Sequence, residues 1–237
     1  MTEENFVSNS LAGDVSVITL DDGKANALTF EVLDQLEAAL DHSFDAAKSV
    51  VINGRPGKFS AGFDLKTMTA SPTDAQRLLK AGAEFALRVY TAPIPVVLGI
   101  TGHALAMGGI LAVSADYRVG LTGPYKLGLN EVAIGMPVPR FGVELCRDRL
   151  SKRWLTRSVQ HGHYFSPAEA LDANFLDELV DDHDSVAPRA LEVASHLAQT
   201  VHPGAFRLTR TNTRGDLATR LAEELERDLA LFTVGQE

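Results

Sequence analysis

The sequence predicts an α/β fold, and three observations carry that prediction. Segments with the composition or the alternation of strands alternate with segments of helical periodicity as far as about residue 135. Two glycine-rich turns, at 57–65 and 102–109, each follow an apolar segment typical of a buried strand. Beyond Pro139 the pattern is almost entirely helical. We therefore divide the chain into a mixed core at residues 1–160 and a C-terminal helical region at residues 161–237.

The first elements follow from local patterns. DVSVITL (14–20) alternates apolar residues with a period of two, which predicts a strand. Residues 29–47 have apolar side chains at helical spacing, and Thr29 is a suitable N-cap for that helix. SVVING (49–54) predicts a short buried strand, and GKFSAGFDL (57–65) is the turn that follows it.

The next elements repeat this order. Residues 72–91 are helical by pattern, and PIPVVLGI (93–100) is apolar and β-branched, which favours a strand. GHALAMGG (102–109) is the second glycine-rich turn. ILAVSADYRVGL (110–121) predicts a short helix and a further strand, and YKLGL (125–129) is another strand candidate.

The last helix carries an apolar stripe that needs a partner surface. Its members recur every four residues and are followed by an aromatic residue: Leu217, Leu221, Leu225, Leu229 and Phe232. Packing against the rest of the same chain and packing against another subunit both remain open.

Composition excludes several classes of protein. The 237 residues carry a formal net charge of −9, which argues against a general nucleic-acid binder. Cys146 is the single cysteine, so neither an internal disulfide nor a cysteine-based metal cluster is expected. His161 and His163 have no third ligand at matching spacing, so no metal is expected. The N-terminus lacks a signal-peptide pattern, and no apolar run reaches the roughly 18 residues of a membrane span. We expect a cytoplasmic protein.

The first glycine-rich turn contains fragments of two other motifs, and neither is complete. A Walker phosphate loop needs Gly where the chain has Ile52, and Ser or Thr where it has Phe59. A nucleophile elbow needs Gly-x-Ser-x-Gly, but Gly57 stands one residue too far from Ser60. The chain also has no G-x-G-x-x-G sequence, so nicotinamide binding is not predicted.

The residues themselves indicate two chemical elements. Glycine turns that precede helices can present unpaired backbone N–H groups, and two such turns side by side could form an oxyanion hole. Glu131 follows a predicted strand among apolar neighbours, which would raise the pKa of its carboxyl towards neutrality. Each has an ordinary alternative, because glycine turns after strands are common and Glu131 could simply open a helix at the surface.

Together these segments resemble the crotonase (enoyl-CoA hydratase/isomerase) superfamily. The resemblance is carried by GKANAL (23–28), GKFSAGFDL (57–65), GHALAMGGILAVSADYR (102–118) and LGLNEVAIGMP (127–137), and FSPAEALDANFLDELV (165–180) adds to it. It extends over nearly the whole chain. The implied fold is a spiral core of repeated ββα units followed by a C-terminal helical trimerisation region, and the implied assembly is a homotrimer or a dimer of trimers.

The resemblance also implies a site. Backbone N–H groups of Phe63 and of Met107, next to Gly108, would bind the oxygen of an acyl thioester. The implied contacts to coenzyme A are Lys24, Ala25, Ala27, Ala61, Asp64 and Leu65, although capping of the following helix is the favoured role of Asp64. No cofactor is implied beyond the coenzyme A that the substrate carries, and neither nucleic acid nor membrane is an expected partner.

One departure from the family pattern bears on the reaction. Hydratases of this family have a second glutamate at the position of Ile110, and the chain retains only Glu131. The resemblance therefore favours a 3,2-trans-enoyl-CoA isomerase that moves one proton with one carboxylate. Two alternatives remain: a hydratase that uses another pocket residue, and an acyl-CoA-binding protein without activity.

Three cations near the C-terminus have two interpretations. Arg207, Arg210 and Arg214 could reach the phosphates of coenzyme A on a neighbouring subunit, or they could simply be solvated.

Overall fold

A computed structural model describes residues 4–231, which form eleven strands and nine α-helices. The strands are β1 (Val7–Ala12), β2 (Val15–Leu20), β3 (Ala27–Leu28), β4 (Ser49–Asn53), β5 (Gly57–Ser60), β6 (Gly62–Phe63), β7 (Val96–Ile100), β8 (Gly102–Leu105), β9 (Tyr117–Leu121), β10 (Leu127–Gly128) and β11 (Glu178–Val180). The α-helices are α1 (Phe30–Ala46), α2 (Leu65–Ala70), α3 (Pro72–Tyr90), α4 (Met107–Ser114), α5 (Arg140–Arg149), α6 (Lys152–Val159), α7 (Pro167–Asp172), α8 (His183–Thr200) and α9 (Pro203–Ala230). None of these helices is both long enough and apolar enough to cross a membrane.

Local sequence accounts for the helix starts. Thr29 caps α1, because its side chain accepts a hydrogen bond from Val32 N at 3.2 Å, as predicted. Ser71 caps α3 in the same way, and Pro72 occupies the first helical position, where no N–H is needed. These contacts satisfy N–H groups that a helix end otherwise leaves without partners.

The core contains two sheets, and the strands of both follow one another in the order of the sequence. The large sheet has the order β1-β2-β4-β7-β9-β11, and only the β1–β2 pair is antiparallel. A smaller parallel sheet has the order β5-β8-β10. Each of β4, β7 and β9 is followed by its counterpart in the small sheet and then by a helix. The predicted α/β class and the repeated ββα units are confirmed.

Several local predictions were incomplete. The two segments interpreted as turns contain strands: β5 and β6 lie within 57–65, and β8 lies within 102–109. The sequence patterns also missed β1 and β11, the two edge strands of the large sheet. β11 pairs in parallel with β9, so the core sheet includes residues beyond 160. The boundary between 160 and 161 stays a prediction.

The leucine stripe packs on its own chain. Leu221, Leu225 and Leu229 of α9 are buried in the main hydrophobic core, and Leu217 is half-buried against it. Helix α9 lies against α3 and α5, so each buried leucine contributes about 2 kcal/mol within this subunit. Phe232 lies outside the described residues. The stripe therefore gives no support to a trimer, which stays a prediction.

Both interpretations of Arg210 and Arg214 were wrong, because these side chains are buried. Arg210 Nη2 lies 2.7 Å from Asp116 Oδ2, and Arg214 Nη2 lies 3.0 Å from Asp116 Oδ1. The Nη1 atoms donate to the carbonyl oxygen of Tyr90 at 2.9 and 2.8 Å. These contacts fix α9 to the end of α3 and the start of β9. Arg207 is exposed.

Candidate active site

The two glycine-rich segments lie side by side because β5 pairs in parallel with β8. Gly62 has a φ of +90°, a conformation that favours glycine, and a Cβ placed there would lie 3.2 Å from Met107 N. A Cβ on Gly108 would lie 2.7 Å from the carbonyl oxygen of Ser60. The predicted contact between the two segments is therefore present, and it depends on glycines at positions 62 and 108.

The backbone N–H of Phe63 points away from the strand that pairs with it. In the β3–β6 pair, Asp64 N donates to Leu28 O at 3.1 Å. Successive N–H groups of a strand point to opposite sides, so the Phe63 N–H faces away from β3. Binding of a ligand by this N–H stays a prediction.

The second N–H belongs to the first residue of α4. The first helical bonds run from Gly109 N and Ile110 N to Ala106 O, at 2.9 and 3.1 Å. Met107 N therefore has no partner within the helix, and the helix dipole favours negative charge beside it. The Met107 side chain is fully buried, and its Cε lies 3.5 Å from the position that a Cβ on Gly82 of α3 would occupy. The binding of a thioester oxygen by these amides stays a prediction.

A cavity opens beside these amides. Its walls are mostly apolar and come from the two glycine-rich segments, from α2 and α3, and from the chain after β10. The lining residues are Ala61, Phe63, Leu65, Met68, Leu79, Ala106, Asn130, Glu131, Ile134, Met136 and Pro139. Among these, Glu131 alone is titratable.

Glu131 is buried, with 7% of its surface exposed. Its Oε2 atom makes no hydrogen bond with any residue of the range 4–231. Burial raises the pKa of this carboxyl to about 7, against a smaller opposing effect from a hydrogen bond to its own backbone. The predicted rise in pKa is thus present, and the alternative of an exposed glutamate at a helix start is wrong.

A tight turn holds Glu131 in place. Residues Val132–Ile134 form a single 3₁₀ turn, and Glu131 O accepts hydrogen bonds from Ile134 N at 3.0 Å and Met136 N at 2.9 Å.

Burial raises the pKa of the nearby Cys146 thiol, and the negative charge of Glu131 raises it further. Cys146 therefore stays neutral beside the carboxylate.

Ile110 does not reach the cavity. It is fully buried in α4, and its Cδ1 lies 2.6 Å from the position that a Cβ on Gly142 of α5 would occupy. The side chain at this position therefore packs into the core, and among the described residues that line the cavity Glu131 is the single acidic group.

The predicted coenzyme A contacts are partly brought together. Ala61 N donates to Ala25 O at 3.1 Å, and Ala27 lies in β3 next to Gly62 of β6. Lys24 is exposed on the same loop. Leu65 is 60% exposed at the mouth of the cavity. Their contact with coenzyme A stays a prediction.

Asp64 has the structural role that the sequence favoured. Its Oδ2 accepts hydrogen bonds from Thr67 N at 2.8 Å and from Thr67 Oγ1 at 2.7 Å, and so caps α2.

Sequence reasoning missed Asn130 as a lining residue. Its Oδ1 is buried and makes no hydrogen bond with any described residue. Its position directly before Glu131 in the sequence LGLNE could have identified it as a lining residue. Leu79 of α3, together with Met136 and Pro139 of the chain after β10, also lines the cavity.

Comparison with known proteins gives a consistent result. Residues 11–236 match the family model for enoyl-CoA hydratase/isomerase. The chain is 31% identical over 225 residues to human mitochondrial enoyl-CoA delta isomerase 1, covering 92% of this chain and 73% of that protein. It is 30% identical over 200 residues to a probable enoyl-CoA hydratase of Bacillus subtilis, covering 82% and 77% of the two chains.

A solved structure extends the likeness to the whole fold. A crystal structure of an enoyl-CoA hydratase/isomerase family protein from Pseudomonas syringae superposes with a TM-score of 0.93 at 38% identity, covering 96% of this chain and 98% of that one. The chain has the ββα repeats and the paired glycine-rich segments, and it matches the family model over almost its entire length. It therefore belongs to the enoyl-CoA hydratase/isomerase family of crotonase-fold enzymes.

Proposed function

We propose that the protein is a 3,2-trans-enoyl-CoA isomerase that uses Glu131 as its single acid–base group. One observation carries the proposal: Glu131 alone is titratable among the residues that line the cavity, and its buried Oε2 has no partner in residues 4–231. Movement of a double bond needs one group that first accepts and then returns a proton. Addition of water needs a second group to orient the water.

The proposed reaction conserves every atom of the substrate. The Glu131 carboxylate removes a proton from C2 of a 3-enoyl-CoA, and the electron pair of that C–H bond delocalises onto the thioester oxygen. The N–H groups of Phe63 and Met107 donate hydrogen bonds to this oxygen and stabilise its charge. Glu131 then returns the proton to C4, and the double bond moves from C3–C4 to C2–C3. No other reactant is needed.

The environment of Glu131 suits both proton transfers. A carboxyl with a pKa of about 7 is a stronger base than an exposed glutamate, and it is populated in both protonation states near neutral pH. The apolar walls contributed by Leu79, Met136 and Pro139 limit the access of water, which favours return of the proton to carbon over hydration.

The test is an isomerase assay on the wild type and on Glu131→Gln. A 3-enoyl-CoA substrate is supplied, and the rise of conjugated-thioester absorbance is followed. We expect a fall in kcat of about 10²- to 10⁴-fold in the variant, because glutamine keeps the shape and loses the base. Glu223→Gln, at an exposed position of α9, is the matched control and should keep wild-type activity. Full activity in Glu131→Gln would remove the mechanism.

A hydratase is the second candidate, and Asn130 favours it. Its unpaired Oδ1 beside Glu131 could accept a hydrogen bond from a water molecule. The likeness to the probable hydratase of Bacillus subtilis supports the same candidate. A hydratase would bleach the absorbance of a 2-enoyl-CoA, and Asn130→Ala would abolish the bleaching. A protein that only binds acyl-CoA would show neither change but would be stabilised against heat by CoA esters.

A further inference from the structure

Gly82 leaves an empty position on α3 that the ring of Phe63 fills. A Cβ placed on Gly82 would lie 2.3 Å from Cζ and 2.4 Å from Cε1 of Phe63. The tip of the ring therefore rests directly on the helix backbone. Glycine inside a helix is less favourable than alanine, so Gly82 destabilises this 19-residue helix while it makes room for the ring.

The same position also faces Met107. Its Cε lies 3.5 Å from the Cβ position of Gly82, an ordinary packing distance. The side chains of both residues with candidate oxyanion amides thus converge on one glycine. Phe63 and Leu79 of α3 line the cavity, whereas Gly82 does not. The Phe63 ring therefore lies between the empty space and the backbone of α3.

We propose that the Phe63 ring, seated on Gly82, is the end wall that limits the length of the acyl chain the protein accepts. The inference rests on the proposed function in one respect, namely that the cavity binds an acyl thioester. The ring cannot move towards α3, because the backbone of Gly82 is already in contact with it. A chain that reaches the ring has to stop or turn. Without the ring, the cavity would extend to a recess between Gly82 and Met107.

The first experiment measures the affinity of saturated acyl-CoA esters of increasing length by calorimetry. These esters have no double bond, so no turnover is needed. In the wild type we expect affinity to rise by about fourfold per methylene, the equivalent of ~0.8 kcal/mol, up to a limiting length and then to stop rising. In Phe63→Ala the rise should continue for several further methylenes. Phe63→Leu should give an intermediate limit, and both variants keep the backbone N–H.

The second experiment changes the other side of the contact. Gly82→Ala adds a methyl group that forces the ring into the cavity, so the limiting length should become shorter than in the wild type. In the double variant with Phe63→Ala the methyl group has no ring to displace, and the long limit should return. Gly215→Ala in α9 is the control, since a Cβ there meets only Thr211 Cγ2, at 3.4 Å. It should leave the limit unchanged.

Each result has a defined meaning. An unchanged limit in folded Phe63→Ala and Phe63→Leu, checked by circular dichroism, would overturn the inference. So would a Gly82→Ala effect that is the same with and without the Phe63 ring. If Gly82→Ala does not fold, the two Phe63 variants decide alone. A wild type that binds the esters with the expected limit but shifts no double bond would refute the isomerase and leave this inference standing. A wild type that binds none of the esters would refute both.

Discussion

The Cβ of Ala106 lies 2.8 Å from the position that a Cβ on Gly62 would occupy. Ala106 itself has a φ of +50° and a ψ of −120°, a conformation that residues with side chains rarely adopt. Such a conformation costs about 1–3 kcal/mol and persists only where the surrounding structure enforces it. The two glycine-rich segments are therefore held at a fixed separation, and with them the N–H groups of Phe63 and Met107.

Gly62→Ala should separate the two amides. The added methyl group cannot fit beside Ala106, so either β6 or the start of α4 has to shift. Loss of one oxyanion donor typically lowers kcat by about 10²- to 10³-fold, and we expect a fall of that size in the isomerase assay. Gly57→Ala is the control, since Gly57 also has a positive φ, +79°, but open space around it. Equal losses in both variants would mean that backbone strain, and not the contact, is responsible.

The rate should depend on the protonation of Glu131. The base must be ionised to accept a proton, and the pKa of its carboxyl is about 7. We expect kcat/KM to increase about tenfold per pH unit below pH 6 and to level off above pH 8. Cys146 does not contribute to this limb, because the pKa of its thiol is raised and it stays neutral. A profile that is flat between pH 5 and 8 would contradict the assignment of Glu131 as the base.

The same carboxyl should make stability depend on pH. Its pKa is higher in the folded chain, about 7, than its ordinary value of 4.5, so folding favours the protonated form. The contribution of the protonated carboxyl to the stability of the fold is complete below about pH 4.5 and is lost as the pH rises through 7. Glu131→Gln removes the loss, so at pH 8 its free energy of unfolding should exceed that of the wild type by about 3 kcal/mol. Urea titrations at pH 5 and pH 8 measure the difference. Glu223→Gln should show no such dependence, and a variant less stable than the wild type at pH 8 would refute the prediction.

Asp116→Asn should loosen the C-terminal helix. Asp116 neutralises Arg210 and Arg214, and burial already lowers the pKa of Arg214 to about 10. Removing the carboxylate leaves two buried guanidinium groups without a counter-charge, which should cost about 3–5 kcal/mol of unfolding free energy. Asp14→Asn is the comparison, because its exposed pair with Lys48 should cost less than about 1 kcal/mol in the same urea titration. Similar losses in the two variants would show that the buried cluster does not anchor α9.

The features that the sequence predicted well are local ones. The cap at Thr29, the helix at 72–91 and the strand at 14–20 depend on residues close together in the chain, so their patterns are visible without coordinates. The position of Glu131 among apolar neighbours was visible in the same way. The edge strands β1 and β11 were missed because they are short, partly exposed and stabilised by pairing with β2 and β9.

The sequence by itself determined the α/β class, the two glycine-rich segments and the carboxylate at position 131, and its resemblance to a known family implied the ββα repeat. Only the tertiary structure decided that α9 packs on its own chain through Asp116, that Ile110 faces the core, and that Phe63 rests on Gly82. Each of these outcomes depends on which distant residues come into contact, and that depends on how the sheets and helices pack. Periodicity within one segment carries no information about which atoms of another segment lie against it.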